Sequence, residues 1–136
     1  MGHAINRPVR RLDVVEKVTG QAMYGADLKF ERMLYGKGLY AEHPHARIVS
    51  IDASEAEAME GVACVVTARD IPGMKVMGEV MQDQYILADD KTRFFGDVVA
   101  CVAAETPELA AEAVRRIRVE YEALPAFFDP SRAKNH

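Results

Sequence analysis

Apolar and polar positions change their spacing several times along the chain, and each change predicts an element. Across 33–41 the aromatic and aliphatic residues Met33, Leu34, Tyr35, Leu39 and Tyr40 suit a strand, with Gly36 and Gly38 marking a bulge or a close backbone approach. Residues 47–52 alternate polar and apolar side chains, the period of a half-buried strand. A helix is predicted over 53–59, where Ala and Glu predominate. Asp52 is placed to cap it, Glu55 stands where a capping-box acid belongs, and Gly61 supplies a left-handed stop. The β-branched, apolar run 62–67 then predicts a buried strand.

Periodicity fails over 68–92, where Pro72, Gly73, Gly78 and two short acidic groups punctuate the chain. Met59, Met74, Met77 and Met81 lie in or near this stretch and are expected to fill irregular packing rather than to bind a cofactor. Order returns with a turn at Gly96-Asp97 and a strand over 98–104. Thr106-Pro107-Glu108 is a strong helix start: Thr caps, Pro takes the first helical position and Glu complements the dipole. Leu109, Ala113, Val114 and Ile117 follow at helical spacing and form one apolar face. Residues 118–122 alternate charge with Val119 and Tyr121 as a last strand, which Pro125 ends. The first twenty residues, rich in charge and containing Pro8 and Gly20, are expected to be extended and irregular. Residues 53–67 and 107–122 thus repeat one pattern, a helix running into a strand. That repetition predicts an α+β sandwich with two helices on one face of a mixed sheet. It does not predict a doubly wound dinucleotide fold, because neither a G-x-G-x-x-G turn nor a phosphate-binding G-x-x-x-x-G-K-[ST] loop is present.

Composition narrows the functional classes. The chain has 136 residues, 49% hydrophobic and 28% charged, which is the balance of one globular domain with a real core. A net charge of −4 does not favour nucleic-acid binding, and the basic cluster Arg115, Arg116 and Arg118 is expected to be a solvated face. No apolar run reaches the roughly 20 residues that span a bilayer, and no signal-peptide pattern opens the chain, so a cytoplasmic protein is expected. Cys64 and Cys101 both fall in apolar strand-like runs and are expected as buried free thiols, with neither disulfide nor ligand spacing.

Catalytic patterns are sparse. His43-Pro44-His45 brings two imidazoles close but has no further ligands in support, so a structural turn is expected. Asp89-Asp90 lacks the spacing of a calcium loop. Ser50, Ser54 and Ser131 lack the glycine-rich elbow of a hydrolase. Tyr24, Tyr35, Tyr40, Tyr85 and Tyr121 are expected to pack their rings and satisfy their hydroxyls. The residues by themselves indicate an α+β binding or assembly module.

Five blocks in order carry a resemblance. Residues 17–27 (Lys17-Val18-Thr19-Gly20 through Tyr24-Gly25-Ala26-Asp27), His45-Ala46-Arg47-Ile48 with Ile51-Asp52, and Gly61-Val62 through Ala68-Arg69-Asp70-Ile71-Pro72 are the first three. Leu87-Ala88 with Lys91, Arg93, Gly96 and Val99-Ala100, and then Ala113 and Val119-Glu120-Tyr121-Glu122 with Leu124-Pro125, complete the set. Together they resemble the start of the molybdenum-binding large subunit of the xanthine dehydrogenase and aldehyde oxidase family, over roughly 11–130. Two places depart from the family pattern: Tyr40-Ala41-Glu42 stands where Arg-Ser-Pro is common, and Asp97-Val98 where Gln or Glu is followed by Pro. The resemblance implies an α/β hammerhead, with 68–92 as its irregular elaboration, a flexible arm over 1–10, the domain over 11–130 and a tail over 131–136. It implies oxidative hydroxylation of N-heterocycles or aldehydes by the complete enzyme, with molybdopterin, 2Fe-2S clusters and in some members FAD. The family's pterin contacts and active-site glutamate lie C-terminal to this region. No catalytic, cofactor-binding or metal residue is therefore expected in this chain, and no cofactor is expected on it alone. The implied partners are the molybdopterin-binding portion and the iron–sulfur subunit, with an exposed apolar interface that would promote self-association. The alternatives are a stand-alone binding or assembly module derived from the family, and a small enzyme built on His43, His45 or an acid pair.

Overall fold

The computed structural model describes residues 8–134, and the chain divides into two compact units between Glu31 and Arg32. Residues 1–7 of the expected arm, and Asn135 and His136 of the expected tail, lie outside the described residues.

The first unit corrects the expectation of an irregular first twenty residues, because it holds a short helix, α1 (Val14–Val18). Five residues are too few to show a helical period. The local cues are a carboxylate and a cation four residues apart, Asp13 and Lys17, joined by an ion pair that Arg11 shares. Thr19 closes the helix, donating its backbone N–H (3.0 Å) and its hydroxyl (2.7 Å) to the Val15 carbonyl. Gly20 then turns the chain at φ +73°. A 3₁₀ turn follows at Gly25–Asp27, held by Asp27 Oδ2 accepting the Tyr24 N–H at 3.0 Å.

The second unit runs β1 (Tyr35–Tyr40), β2 (Ala46–Asp52), α2 (Ser54–Glu57), β3 (Val62–Thr67), β4 (Val76–Met77), β5 (Gln84–Tyr85), β6 (Lys91–Thr92), β7 (Val98–Ala104), α3 (Pro107–Arg116), β8 (Arg118–Ala123) and α4 (Pro130–Ala133). Every described ladder is antiparallel. The pairing is divided between two three-stranded sheets, β1-β7-β3 and β6-β2-β8, with β4 and β5 as a separate hairpin. The expected glycine-linked irregularity in β1 falls instead at Leu39/Tyr40.

Strand β7 organises the core because it is buried on both faces. Ala100, Val102 and Ala104 join Ala56 of α2, Ala110 and Ala113 of α3, and Ile117 just after it in one cluster. Val99 faces the other way and packs with Ala41, Ala88 and the β2 and β8 residues Ile48, Ile51 and Val119. This is the expected arrangement of two helices on one face of a sheet, and the alanines at the contact let helix and strand backbones approach closely. Thr106 caps α3 as predicted, its hydroxyl accepting the Leu109 N–H at 3.1 Å, an interaction worth about 1 kcal/mol. At α2, Asp52 accepts from both the backbone N–H (3.0 Å) and the hydroxyl (2.6 Å) of Ser54. Glu55 is not turned back as a capping-box acid and instead pairs with Arg118 of β8. Gly61 adopts φ +83°, and a Cβ there would lie 2.7 Å from Leu109 Cδ2, so both conformation and packing require glycine.

The elaboration over 68–92 is irregular, as expected. A 3₁₀ turn at Ala68–Asp70 leads into the β4–β5 hairpin. Asp70 ties that turn to the end of β3 by accepting the Thr67 N–H (2.8 Å) and hydroxyl (2.9 Å). Met74, Met77 and Met81 are exposed here, which corrects the expectation that they fill packing gaps; only Met59 packs against the core.

Candidate functional site

An open groove of about 700 Å³ is walled by Pro44, His45, Lys91, Arg93, Phe94, Phe95 and the segment Pro125, Ala126, Phe127 and Phe128. Two segments that share no ladder build it, and hydrogen bonds hold both. The Arg93–Asp97 turn forms one wall. The buried Asp97 carboxylate accepts the Arg93 N–H at 3.1 Å, while the Asp97 carbonyl accepts the Ala41 N–H at 2.8 Å. Arg93, itself a lining residue, braces the wall. Its guanidinium donates to the Lys91 carbonyl and to Asp90 (both 2.9 Å) and lies 3.9 Å over the Tyr85 ring. Thr92, fully buried between these groups, accepts the Ala46 N–H and donates to the His43 carbonyl, each at 3.1 Å.

The opposite wall is the stretch that leaves β8. The Leu124 N–H donates to the His45 carbonyl at 2.9 Å, and His45 Nδ1 lies 2.6 Å from the Pro125 carbonyl. A carbonyl only accepts, so Nδ1 carries the proton. Phe94, Phe95, Phe127 and Phe128 stand 42–78% exposed on these two walls. At about 200 Å² per ring they leave on the order of 450 Å² of aromatic surface in water, the size of a functional apolar patch.

The other candidate residues are dispersed. His43 sets its ring edge-on to Tyr121 (5.1 Å between centroids) and His45 is tied to Pro125, so the two imidazoles serve separate partners. Burial raises the Tyr121 pKa, and the charge of Glu42 adds to the shift. Asp89 pairs with Lys75 at 3.0 Å and Asp90 with Arg93. Partial burial pulls the Asp90 pKa up, but the Arg93 guanidinium outweighs it and leaves the value lowered. Ser50 donates to Glu120 at 3.3 Å, Ser54 to Asp52, and the Ser131 backbone N–H donates to Asp129 at 2.8 Å. Arg115 and Arg116 both pair with Glu112 on a solvated helix face, as anticipated. Cys101 is half-buried, and desolvation raises its pKa. Cys64 is exposed, against the expectation of a buried thiol, because β3 is a sheet edge. Among the described residues no group of three or more His, Cys, Asp or Glu side chains converges to hold a metal.

The fold has counterparts in known proteins. Residues 19–125 match the family model described as the aldehyde oxidase and xanthine dehydrogenase a/b hammerhead domain. The chain belongs to that family. This hammerhead domain is 48% identical over 130 residues to a probable xanthine dehydrogenase subunit of Bacillus subtilis, covering 95% of the chain and 17% of that relative. It is 45% identical over 123 residues to the nicotinate dehydrogenase large molybdopterin subunit of Eubacterium barkeri, covering 90% of the chain and 29% of the relative. Among solved structures, CO dehydrogenase from Oligotropha carboxidovorans superposes with a TM-score of 0.86 at 38% identity, over 92% of this chain and 16% of that one. The aldehyde oxidoreductase from Desulfovibrio gigas gives 0.84 at 34% identity, over 89% and 15%. The hammerhead domain thus spans under a third of the length of each of these proteins. No helix of the described residues is long and apolar enough to cross a membrane.

An exposed apolar surface was expected from the sequence, but without a location. Its signal was available in Phe94-Phe95 and Phe127-Phe128. Both pairs lie outside the regular elements, and their exposure depends on the turns that carry them.

Proposed function

We propose that this domain is a non-catalytic scaffold of a molybdenum hydroxylase and that it docks through the phenylalanine groove onto the molybdopterin-binding portion of the large subunit. The observation that carries the reading is the position of the groove. Its second wall, residues 125–128, begins where the family match stops, and the relatives continue as much longer large subunits. A rigid aromatic surface on hydrogen-bonded turns is suited to a permanent interface, because little side-chain entropy remains to be lost on docking. The Bacillus and Eubacterium relatives carry names that specify oxidation of xanthine and of nicotinate, so an N-heterocycle is the substrate class proposed for the complete enzyme. Molybdopterin would supply the redox chemistry there; this domain's residues would set the position of the portion that holds it. An iron–sulfur subunit would complete the electron path.

The test pairs the 136-residue chain with the Bacillus relative's large subunit from which its own hammerhead region has been removed. Co-expression is expected to yield a complex that contains molybdenum and pterin and oxidises an N-heterocycle. The chain alone is expected to contain no metal and to be inactive. Stoichiometric molybdenum with turnover in the chain alone would overturn the non-catalytic role, and failure of the two pieces to associate would overturn the docking.

A further inference from the structure

Strands β1 and β8 are edges of the two larger sheets, and neither pairs with the other. Between them lies a recess of about 90 Å³, lined by Leu39, Tyr40, Glu42, Ile117, Val119 and Tyr121. It shares no residue with the phenylalanine groove. Leu39, Ile117 and Val119 form its apolar floor and belong to the packing around the core. Two phenol rings and one carboxylate supply the rest.

Local structure braces both rings. The register of β1 shifts between Leu39 and Tyr40, and an irregularity of this kind re-aims a side chain. The Tyr40 ring lies over Gly38: a Cβ at that position would stand 3.3 Å from Tyr40 Cζ, so the missing side chain makes room for the ring. Tyr121 is half-buried and meets the His43 ring edge-on, 5.1 Å between centroids. Burial raises the Tyr121 pKa and the Glu42 charge raises it further, so the phenol stays neutral and its ring keeps an electron-rich face. Glu42 is the one charged residue on the lining, with no Lys or Arg beside it there. It forms no salt bridge among the described residues.

A carboxylate without a counter-ion, two electron-rich rings and an apolar floor together select one kind of cation. A hard metal ion takes a shell of oxygen ligands, and this lining offers one carboxylate. A primary ammonium carries three N–H donors, which aliphatic side chains cannot accept. A quaternary ammonium carries methyl groups in place of those donors. Leu39, Ile117 and Val119 can receive the methyls, while the ring faces and Glu42 offset the charge. We infer that this recess binds the quaternary ammonium head of a small solute, with Glu42 as counter-ion and the Tyr40 and Tyr121 rings as its walls. The site does not depend on the scaffold reading.

Tetramethylammonium chloride titrated into the isotope-labelled 136-residue chain, with sodium chloride at equal ionic strength as the reference, should shift NMR resonances around the recess. The shifts should saturate with a Kd on the order of millimolar to tens of millimolar. Choline should behave alike, and ammonium chloride should bind far more weakly. Glu42→Gln keeps the shape, removes the charge and should weaken binding about two- to fivefold. Tyr40→Leu should weaken it roughly three- to thirtyfold, while Tyr40→Phe keeps a ring and most of the affinity. Both positions are exposed, so circular dichroism should not change in any of these variants. Shifts that follow ionic strength alone overturn the inference. So does an affinity unchanged in Tyr40→Leu or Glu42→Gln, or ammonium binding as tightly as its methylated form. Binding to phosphatidylcholine vesicles without binding of either free cation would assign the recess to a membrane surface and overturn the small-solute site.

Discussion

Replacing Asp97 tests whether one buried carboxylate sets the shape of the groove wall. Asp97 is 5% exposed, and its Oδ2 accepts the Arg93 N–H at 3.1 Å across the turn that displays Phe94 and Phe95. Asp97→Ala leaves that partly buried donor without an acceptor, which costs about 1–3 kcal/mol. With a midpoint near 2 kcal/mol, a domain of this length should lose roughly 6–10 °C in Tm. Asp97→Asn keeps an acceptor oxygen and gives up only the charge assistance, so its loss should be less than half as large. Urea titration followed by far-UV circular dichroism reads both variants against the parent, and near-UV signals from Phe and Tyr report whether the turn keeps its form. An alanine variant within about 0.5 kcal/mol of the parent would refute the reasoning, since a satisfied buried donor cannot lose its partner at no cost.

Three further outcomes are expected. Gly61→Ala should destabilise by about 1–2 kcal/mol from the left-handed backbone alone, and by more because the new methyl meets Leu109. Gly96→Ala, at φ +85° with nothing within 4 Å, should show the backbone part only, and equal melting temperatures for the two variants would contradict the packing argument. Asp70 is held below its ordinary value near 3.8 by the Thr67 backbone N–H and then by its hydroxyl. A depressed carboxylate contributes stability above the unfolded pKa and loses it as pH falls through the folded one. The urea midpoint should therefore drop as pH is lowered below about 4, and Asp70→Asn should flatten that drop; parallel curves would exclude the role. Phe128→Ala removes a side chain that is 78% exposed, so Tm should hold while calorimetric affinity for the molybdopterin-binding portion falls roughly 5- to 150-fold, against a burial ceiling of about 4 kcal/mol. An unchanged Kd would remove Phe128 from the interface.

Elements with strong local chemistry are legible in the sequence itself. Thr106-Pro107 starts α3 where expected, and the alternation over 118–122 is the greater part of β8, because caps and periodicity act over a few neighbouring residues. What depends on distant partners is not legible. The apolar run around Cys64 looks the same whether its strand lies in the middle of a sheet or at its edge; only the pairing order shows that β7 takes the centre and β3 the margin. Division into two antiparallel sheets is likewise hidden, since period-two patterning does not name a partner. The groove is hidden for a similar reason: Phe94 and Phe128 are far apart in sequence, and the bond from His45 to the Pro125 carbonyl places their walls together. Asp13 and Lys17 give a local cue for α1, but in a helix too short to show a repeat.

The placement of β7 between β1 and β3 affects how the chain emerges during synthesis. Both flanking strands leave the ribosome before the strand that joins them, because β1 ends at Tyr40 and β7 ends at Ala104. At typical elongation rates of about 5–20 residues per second, β1 waits roughly 3–13 s for its ladder. During that interval the nascent chain shows unpaired β-branched segments, β3 among them, to every chaperone and neighbouring polysome. Slowing translation between codons 41 and 97 should lengthen this vulnerable period and lower the soluble yield, whereas a circular permutant that presents β7 first would shorten it.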